Sequence, residues 1–254
     1  MRSLRGLASA VRDASAVVAF LVVWQLVTVF FAVPVFLLPQ PVVIAQALVS
    51  NFDPIGRASL QTAAESAAGF LGGNVLGLIL ASLFVRSTLI SRAGLPLAIG
   101  LRSVPLIALT PLLTIVFGFG ALTIVVMAVL ISFFPALVAG MTGLRAPSSE
   151  ALALMRVLDA PEPLVFRRLR IPVALPYLFA AFKISAPASV LAAMVAEWTA
   201  ANSGLGYLIV DAGARYRFPL MWATIVAATA LAVGAFAAAA AAERRVIRWP
   251  VETA

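Results

Sequence analysis

Apolar blocks of about twenty residues or more limit this chain to one kind of fold, because each is long enough to cross a hydrocarbon layer roughly 30 Å thick. Six such blocks follow one another: Ala14–Leu38, Thr62–Val85, Leu95–Phe117, Ala121–Leu144, Pro176–Ala200 and Pro219–Ala242. Composition agrees. Of 254 residues 63% are hydrophobic, and 18 Lys and Arg with 10 Asp and Glu cannot cover a water-soluble domain of this size. The mean hydropathy is +1.09. The expectation is an all-α integral membrane protein of about six transmembrane helices, forming a single domain over residues 1–254. Met1–Arg12 resembles the basic start of a signal peptide. The apolar block behind it is too long for that role and lacks a small-residue cleavage site, so it reads as a retained first span.

Charge sets the orientation. With a cytoplasmic N-terminus, segments 1–13, 86–94, 143–175 and 243–254 face inward and hold thirteen Arg, against Arg57, Arg215 and Arg217 outside. The positive-inside rule therefore places both termini in the cytoplasm. The net charge of +8 does not point to nucleic acid, because the Arg residues lie in short tracts between apolar blocks rather than on one polar face. The absence of Cys and His excludes disulfides, thiolate chemistry and the commonest metal sites, and leaves no nucleophile–base set for an enzyme. No cofactor is expected. The tail after Trp249 is short, and no added C-terminal sensing domain is expected.

Small residues mark packing. Gly69, Gly73 and Gly77 recur every fourth residue and give the second block one smooth face. The Ala237–Ala242 run is read in the same way. Ionisable residues inside the blocks are costly and usually have a role. Arg102 and Lys183 lie near inner ends, where they can snorkel to headgroups. Glu65 sits near the outside, solvated at the interface or on a pathway. Glu197, beside Trp198, either contacts the Gly-rich loop that follows or belongs to an outer gate.

The most informative segment is the inward loop Arg145–Pro176. Pro147, Ser148 and Ser149 read as a helix start with Glu150 in the first turn. Glu150–Leu158 then forms about two turns, with Leu152, Met155 and Leu158 as an apolar ridge. Pro161 and Pro163 break it, and a second short helix, Leu164–Arg170, carries Arg167, Arg168 and Arg170. A helix–break–helix element outside the bilayer fits docking to a protein, and its Arg cluster also fits anionic lipid.

This segment resembles the Glu-Ala-Ala loop of ABC-importer permeases. Ile171-Pro172-Val173-Ala174-Leu175-Pro176 and Phe166-Arg167-Arg168 are similar to the close of that motif. In that register Ala153, Leu154 and Met155 fall on Glu-Ala-Ala, and Asp159 falls on the family Gly. The carboxylate is thus missing at Ala153, and Glu150, one turn earlier on the same face, is the candidate replacement. Asp is among the few non-Gly residues that tolerate a left-handed backbone, so the turn can survive. Leu101–Pro105, Ala108–Pro111, Phe117–Gly120, Ala196–Trp198 and Asn202–Tyr207 resemble the sulfonate, taurine, nitrate and thiamine-precursor branch.

The resemblance implies the type I ABC-importer permease fold in a bacterial inner membrane. It also implies cytoplasmic ATPase subunits as partners, a second permease copy in a homodimer, and an extracytoplasmic solute-binding protein. Coupling to the ATPase is expected through Glu150, Ala153, Leu154, Met155, Arg156, Leu158, Asp159, Ala160, Arg167 and Arg168. The outer loop Asn202–Phe218 is expected to meet the binding protein, with Arg215 and Arg217 available to an anionic solute. No nucleotide-binding Gly-x-x-x-x-Gly-Lys-[Ser/Thr] occurs and Lys183 is the only Lys, so ATP hydrolysis belongs to a partner. An ion-gradient-driven secondary transporter is the alternative, but no inverted repeat or midplane carboxylate pair supports it.

Overall fold

The computed structural model describes residues 2–249; the side chains of residues 2–14 and of Leu106 are not described, and the expectation about the tail lies partly outside the described residues. Among the described residues every regular element is helical: α1 (Arg2–Phe30), α2 (Pro41–Ser50), α3 (Phe52–Arg86), α4 (Thr88–Ser103), α5 (Leu106–Phe117), α6 (Ala121–Arg145), α7 (Ser149–Val157), α8 (Glu162–Val165), a π-helical turn (Phe166–Arg170), α9 (Ile171–Ala200), α10 (Leu205–Ala214) and α11 (Phe218–Val246). Four helices are long and apolar enough to cross a membrane, and a bent fifth joins them if α4 and α5 count as one span. The apolar stretch Ser15–Phe30 of α1 is shorter.

Several boundaries differ from the sequence expectation, each for a local reason. The third block is two helices meeting at 105°. Proline forces the residue before it toward extended backbone, and Val104 (φ −75°, ψ 128°) ends α4 in front of Pro105. The polar stretch after the first block is helical instead of a loop. Pro41 opens α2 at a position where a missing N–H costs nothing, and Asn51 closes it with a side-chain amide donating to the Ala47 carbonyl at 2.9 Å. The second span therefore starts at Phe52 rather than Thr62. The fifth span does not start at Pro176. Glu162–Ala200 is one 39-residue helical run. Its π turn, with the Ile171 N–H bonded to the Phe166 carbonyl, re-aims the carbonyls that Pro172 would otherwise meet, so the proline is absorbed without a break.

The described residues form two compact units: those up to Gly56 with Leu208–Ala227, and Arg57–Tyr207 with those from Ala228 onward. In the first, Trp24 and Trp222 meet edge-on at 5.9 Å. There the Gln25 amide donates to Gln40 (3.1 Å) and Arg217 donates to Asn51 (3.1 Å).

The second unit is built on the glycine face of α3. A Cβ on Gly73 would stand 2.6 Å from the Val129 carbonyl oxygen, and one on Gly77 would stand 2.8 Å from Ala136 Cβ. Gly69 meets Ala128 in the same way. The expected small-residue contact is therefore the α3–α6 interface, where only hydrogen fits between backbones. On the other side of α6, Gly143 closes on Ala174 of α9. Ile124, Met127, Ala193 and Ala196 form the core between α6 and α9. Facing outward are large apolar side chains such as Leu60, Leu97 and Ile115, each more than 70% exposed. A water-soluble surface does not carry so many; a lipid-facing one does. The Ala237–Ala242 run packs only in part: Ala239, Ala240 and Ala241 are half-buried, and Ala237, Ala238 and Ala242 are exposed.

Candidate functional site

The Arg-rich end of the second unit is held together by cations on helix ends. The last carbonyls of a helix have no partner inside it and carry partial negative charge. Arg145 Nη2 donates to the Phe84 carbonyl in the last turn of α3 (3.4 Å), and Arg170 Nη1 donates to the Leu144 carbonyl at the end of α6 (2.9 Å). Arg86 lies over the Phe166 ring at 4.6 Å, a cation–π contact. Three of the Arg residues counted as inward are thus fasteners: Arg145 ties α6 to α3, and Arg170 and Arg86 tie the π-helical turn to the ends of α6 and α3.

That fixed base presents α7. Ser148 caps it, its hydroxyl accepting from the Ala151 N–H at 3.2 Å. Glu150 lies in the first turn and accepts from the Ser149 hydroxyl at 3.1 Å. Its own backbone N–H, then Ser148 and Ser149, hold its carboxyl below the ordinary 4.5. The helix stops in a Schellman arrangement: Ala160 N–H returns to Met155 O and Asp159 N–H to Arg156 O, both at 3.0 Å. Asp159 takes the left-handed position, φ +48°. The turn that the resemblance assigns to glycine survives here with aspartate in it.

Of the ridge expected at Leu152, Met155 and Leu158, only Leu158 stays outward. Leu152 and Met155 are half-buried, turned toward the chain. Leu154, Val157 and Leu158 are 58%, 83% and 66% exposed. Residues 150, 153, 154 and 157 share one helix face at the i, i+3, i+4, i+7 spacing, so Glu150 and Ala153 border the exposed leucine and valine. Val157 lies off the ridge when the helix is phased on Leu152, so the sequence alone gives it no signal. Arg156, Arg167 and Arg168 are exposed, Asp159 is exposed and Ala160 half-buried.

The opposite end of the unit carries a polar node. Glu197, fully buried in the last turn of α9, accepts from Thr62 Oγ1 of α3 at 2.7 Å and from the Gly206 N–H at 2.6 Å. The Thr62 hydroxyl in turn accepts from the Leu205 N–H at 2.9 Å. One carboxylate and one hydroxyl thereby take up two orphan N–H groups that open α10. Gly204 (φ +99°) has no room for a side chain, because a Cβ there would run into the Glu197 carboxylate. Of the two readings of Glu197, contact with the Gly-rich loop is what the geometry contains. Glu65 is buried, not solvated at an interface, and accepts from Gln61 at 3.1 Å. Lys183 does not reach outward alone; its ammonium pairs with Glu243 of α11 at 2.7 Å. Arg102 lies over Phe134 at 4.7 Å. Thr62 and Glu243 had no local signal, since their partners are far away in sequence.

Membrane-length helices with an exposed apolar helix face at one end and a buried polar tie at the other fit a transport permease of the inner membrane. Residues 73–248 match the family described as the binding-protein-dependent transport system inner membrane component, and the chain belongs to that family. A Haemophilus influenzae protein described as an ABC transporter permease is 32% identical over 206 residues, 81% of this chain and 84% of that one. The formylaminopyrimidine transport permease protein of Halalkalibacterium halodurans is 29% identical over 230 residues, covering 90% of this chain and 92% of that one. Among solved structures, the inward-facing MetNI methionine ABC transporter matches with a TM-score of 0.68 at 20% identity, covering 78% of this chain and 99% of the matched one. That likeness shows the permease fold.

Proposed function

We propose that this permease imports a small organic solute by docking cytoplasmic ATPase subunits on α7, with both chain termini on the ATPase side. Two copies pair around the solute path, and an extracytoplasmic binding protein delivers solute to the end that holds Glu197. The single observation that carries this reading is the exposed Leu154–Val157–Leu158 face, set on a base pinned by Arg145 and Arg170. An apolar ridge of this kind, edged by Arg156, Arg167 and Arg168, has no partner within the described chain and fits a cleft on another protein. Glu150 supplies the carboxylate that the family motif carries at Ala153. Glu197 holds the outer ends of α3, α9 and α10 together rather than contacting solute. The kinship with a formylaminopyrimidine permease favours a pyrimidine-like cargo.

The experiment is an affinity purification of the tagged chain from its own membrane, with and without Val157→Asp. Near-equal recovery of an ATPase subunit, lost in the variant while the permease itself is retained, is the expected result. An ATPase that remains bound to the variant moves the docking surface off α7.

A further inference from the structure

A groove of about 420 Å³ runs along α6 between α4 and α9, with Arg102, Phe134, Thr142, Tyr177 and Ile184 among its walls. Two side-chain donors in it are left open by the chain. Among the described residues the Arg102 guanidinium has no carboxylate or carbonyl partner, and its one contact is the Phe134 ring beneath it at 4.7 Å. The Tyr177 hydroxyl likewise has no partner there, and its side chain is exposed. The third polar group, the Thr142 hydroxyl, donates to the Val138 carbonyl of its own helix (2.9 Å).

Depth decides what can occupy such a groove. Phe134 is thirteen residues from Ala121 and eleven from Arg145, the two ends of α6. It therefore lies roughly 16 Å of helix from the nearer end, and half of the hydrocarbon layer is about 15 Å. Ile184 is placed alike, thirteen residues after the start of α9 and sixteen before its end. The guanidinium resting on Phe134 is thus near mid-depth, whichever end faces the cytoplasm. It does not reach the headgroups, as snorkelling requires. An unpaired guanidinium against lipid tails at that depth is costly, and charged groups within spans face a bundle interior or a water-filled cavity instead. In such a cavity its planar fork matches two oxygens of one anion.

We infer that this groove is a stretch of the solute path and that Arg102 binds there an oxyanion group of the cargo. Tyr177 adds a second donor and a ring face beside it. The cargo proposed above then carries a negative group. The inference rests on the importer reading, but its test involves no ATPase, so loss of docking on α7 leaves it standing.

The chain contains no Cys, so a single introduced thiol reports water and charge at a chosen position. Ile184→Cys, with Ala180→Cys as a second position, is treated in membrane vesicles of both orientations with two membrane-impermeant methanethiosulfonates. One reagent ends in a sulfonate and the other in a quaternary ammonium, and each rate is taken relative to that of a free thiol in solution. The sulfonate reagent should react about tenfold faster than the ammonium one. Arg102→Gln, or Arg102→Leu where the first does not accumulate, should remove that preference. Ile115→Cys, at a position 83% exposed on the lipid-facing side, should react with neither. Reaction at both groove positions no faster than at Ile115 overturns the inference, because lipid or a second permease then covers the groove. Equal reaction with the two reagents, or a preference that survives loss of Arg102, overturns the assignment of an anion to Arg102.

Discussion

Thr62 and Glu197, 135 positions apart, meet through a 2.7 Å hydrogen bond in which the threonine hydroxyl both donates to the carboxylate and accepts from the Leu205 N–H. The carboxylate's other oxygen holds Gly206. Glu197→Gln keeps one acceptor but turns an NH₂ toward the second donor, so one bond is lost. Thr62→Val leaves the Leu205 N–H without its partner. Each should lower stability by about 1–3 kcal/mol, the usual cost of an orphaned buried polar group. Thermal unfolding in detergent reads the loss. Glu197→Gln that unfolds as wild type but fails to transport would restore the gate reading.

The α3–α6 contact tolerates no added carbon. Gly73→Ala places a methyl 2.6 Å from a backbone oxygen that cannot swing away, and should destabilise by about 1–3 kcal/mol. Gly100→Ala in α4 meets nothing within 4 Å and serves as the control. It should be neutral or stabilise by up to about 1 kcal/mol through helix propensity. Similar unfolding temperatures for the two variants would contradict the close packing.

At Asp159 the backbone angle decides. Asp159→Gly should preserve ATPase coupling, because glycine enters the left-handed region freely. Asp159→Val should strain the turn by about 1–2 kcal/mol and lower coupling. ATPase stimulation in reconstituted vesicles separates them, and equal activity of both variants would remove any role for the turn.

Glu150 carries a pH signature. A carboxyl held below its ordinary 4.5 stabilises the start of α7 at pH values above that figure and loses the effect as pH falls through its lowered value. Amide protection at Ala151 and Leu152, the exchange rate measured against the intrinsic rate at the same pH, should therefore fall in acid, and Glu150→Gln should show the lower protection already at pH 7. Glu150→Ala with unchanged ATPase coupling would end its candidacy as the replacement carboxylate.

Much of the fold is legible in the sequence because lipid imposes long apolar runs and few charges. The Gly69–Gly73–Gly77 face needed only its period to reveal a close contact. Phase was harder. The sequence points to Leu152, Met155 and Leu158 for the α7 ridge and only Leu158 is outward, since a two-turn helix with apolar residues on several sides does not declare which side faces the chain. The bend at Pro105 and the continuity through Pro172 show the same residue type with opposite outcomes. What differs is the surrounding backbone, extended at Val104 and π-helical at Phe166–Arg170. The Lys183–Glu243 pair and the Thr62 bridge stayed hidden because each depends on which helices are neighbours, and short-range pattern does not carry that.

The unbroken run from Glu162 to Ala200 spans roughly 57 Å at 1.5 Å per residue. Its first turns sit beside α7, and its last turn holds Glu197. A single helical run therefore reaches from α7 to the polar tie. If α7 docks the ATPase as proposed, a tilt imposed at that end would be carried to the other by the stiffness of one helix, with no relay of side chains between. The π turn beside α7 would be where such a rod gives first, and would set how much of the motion reaches the far end.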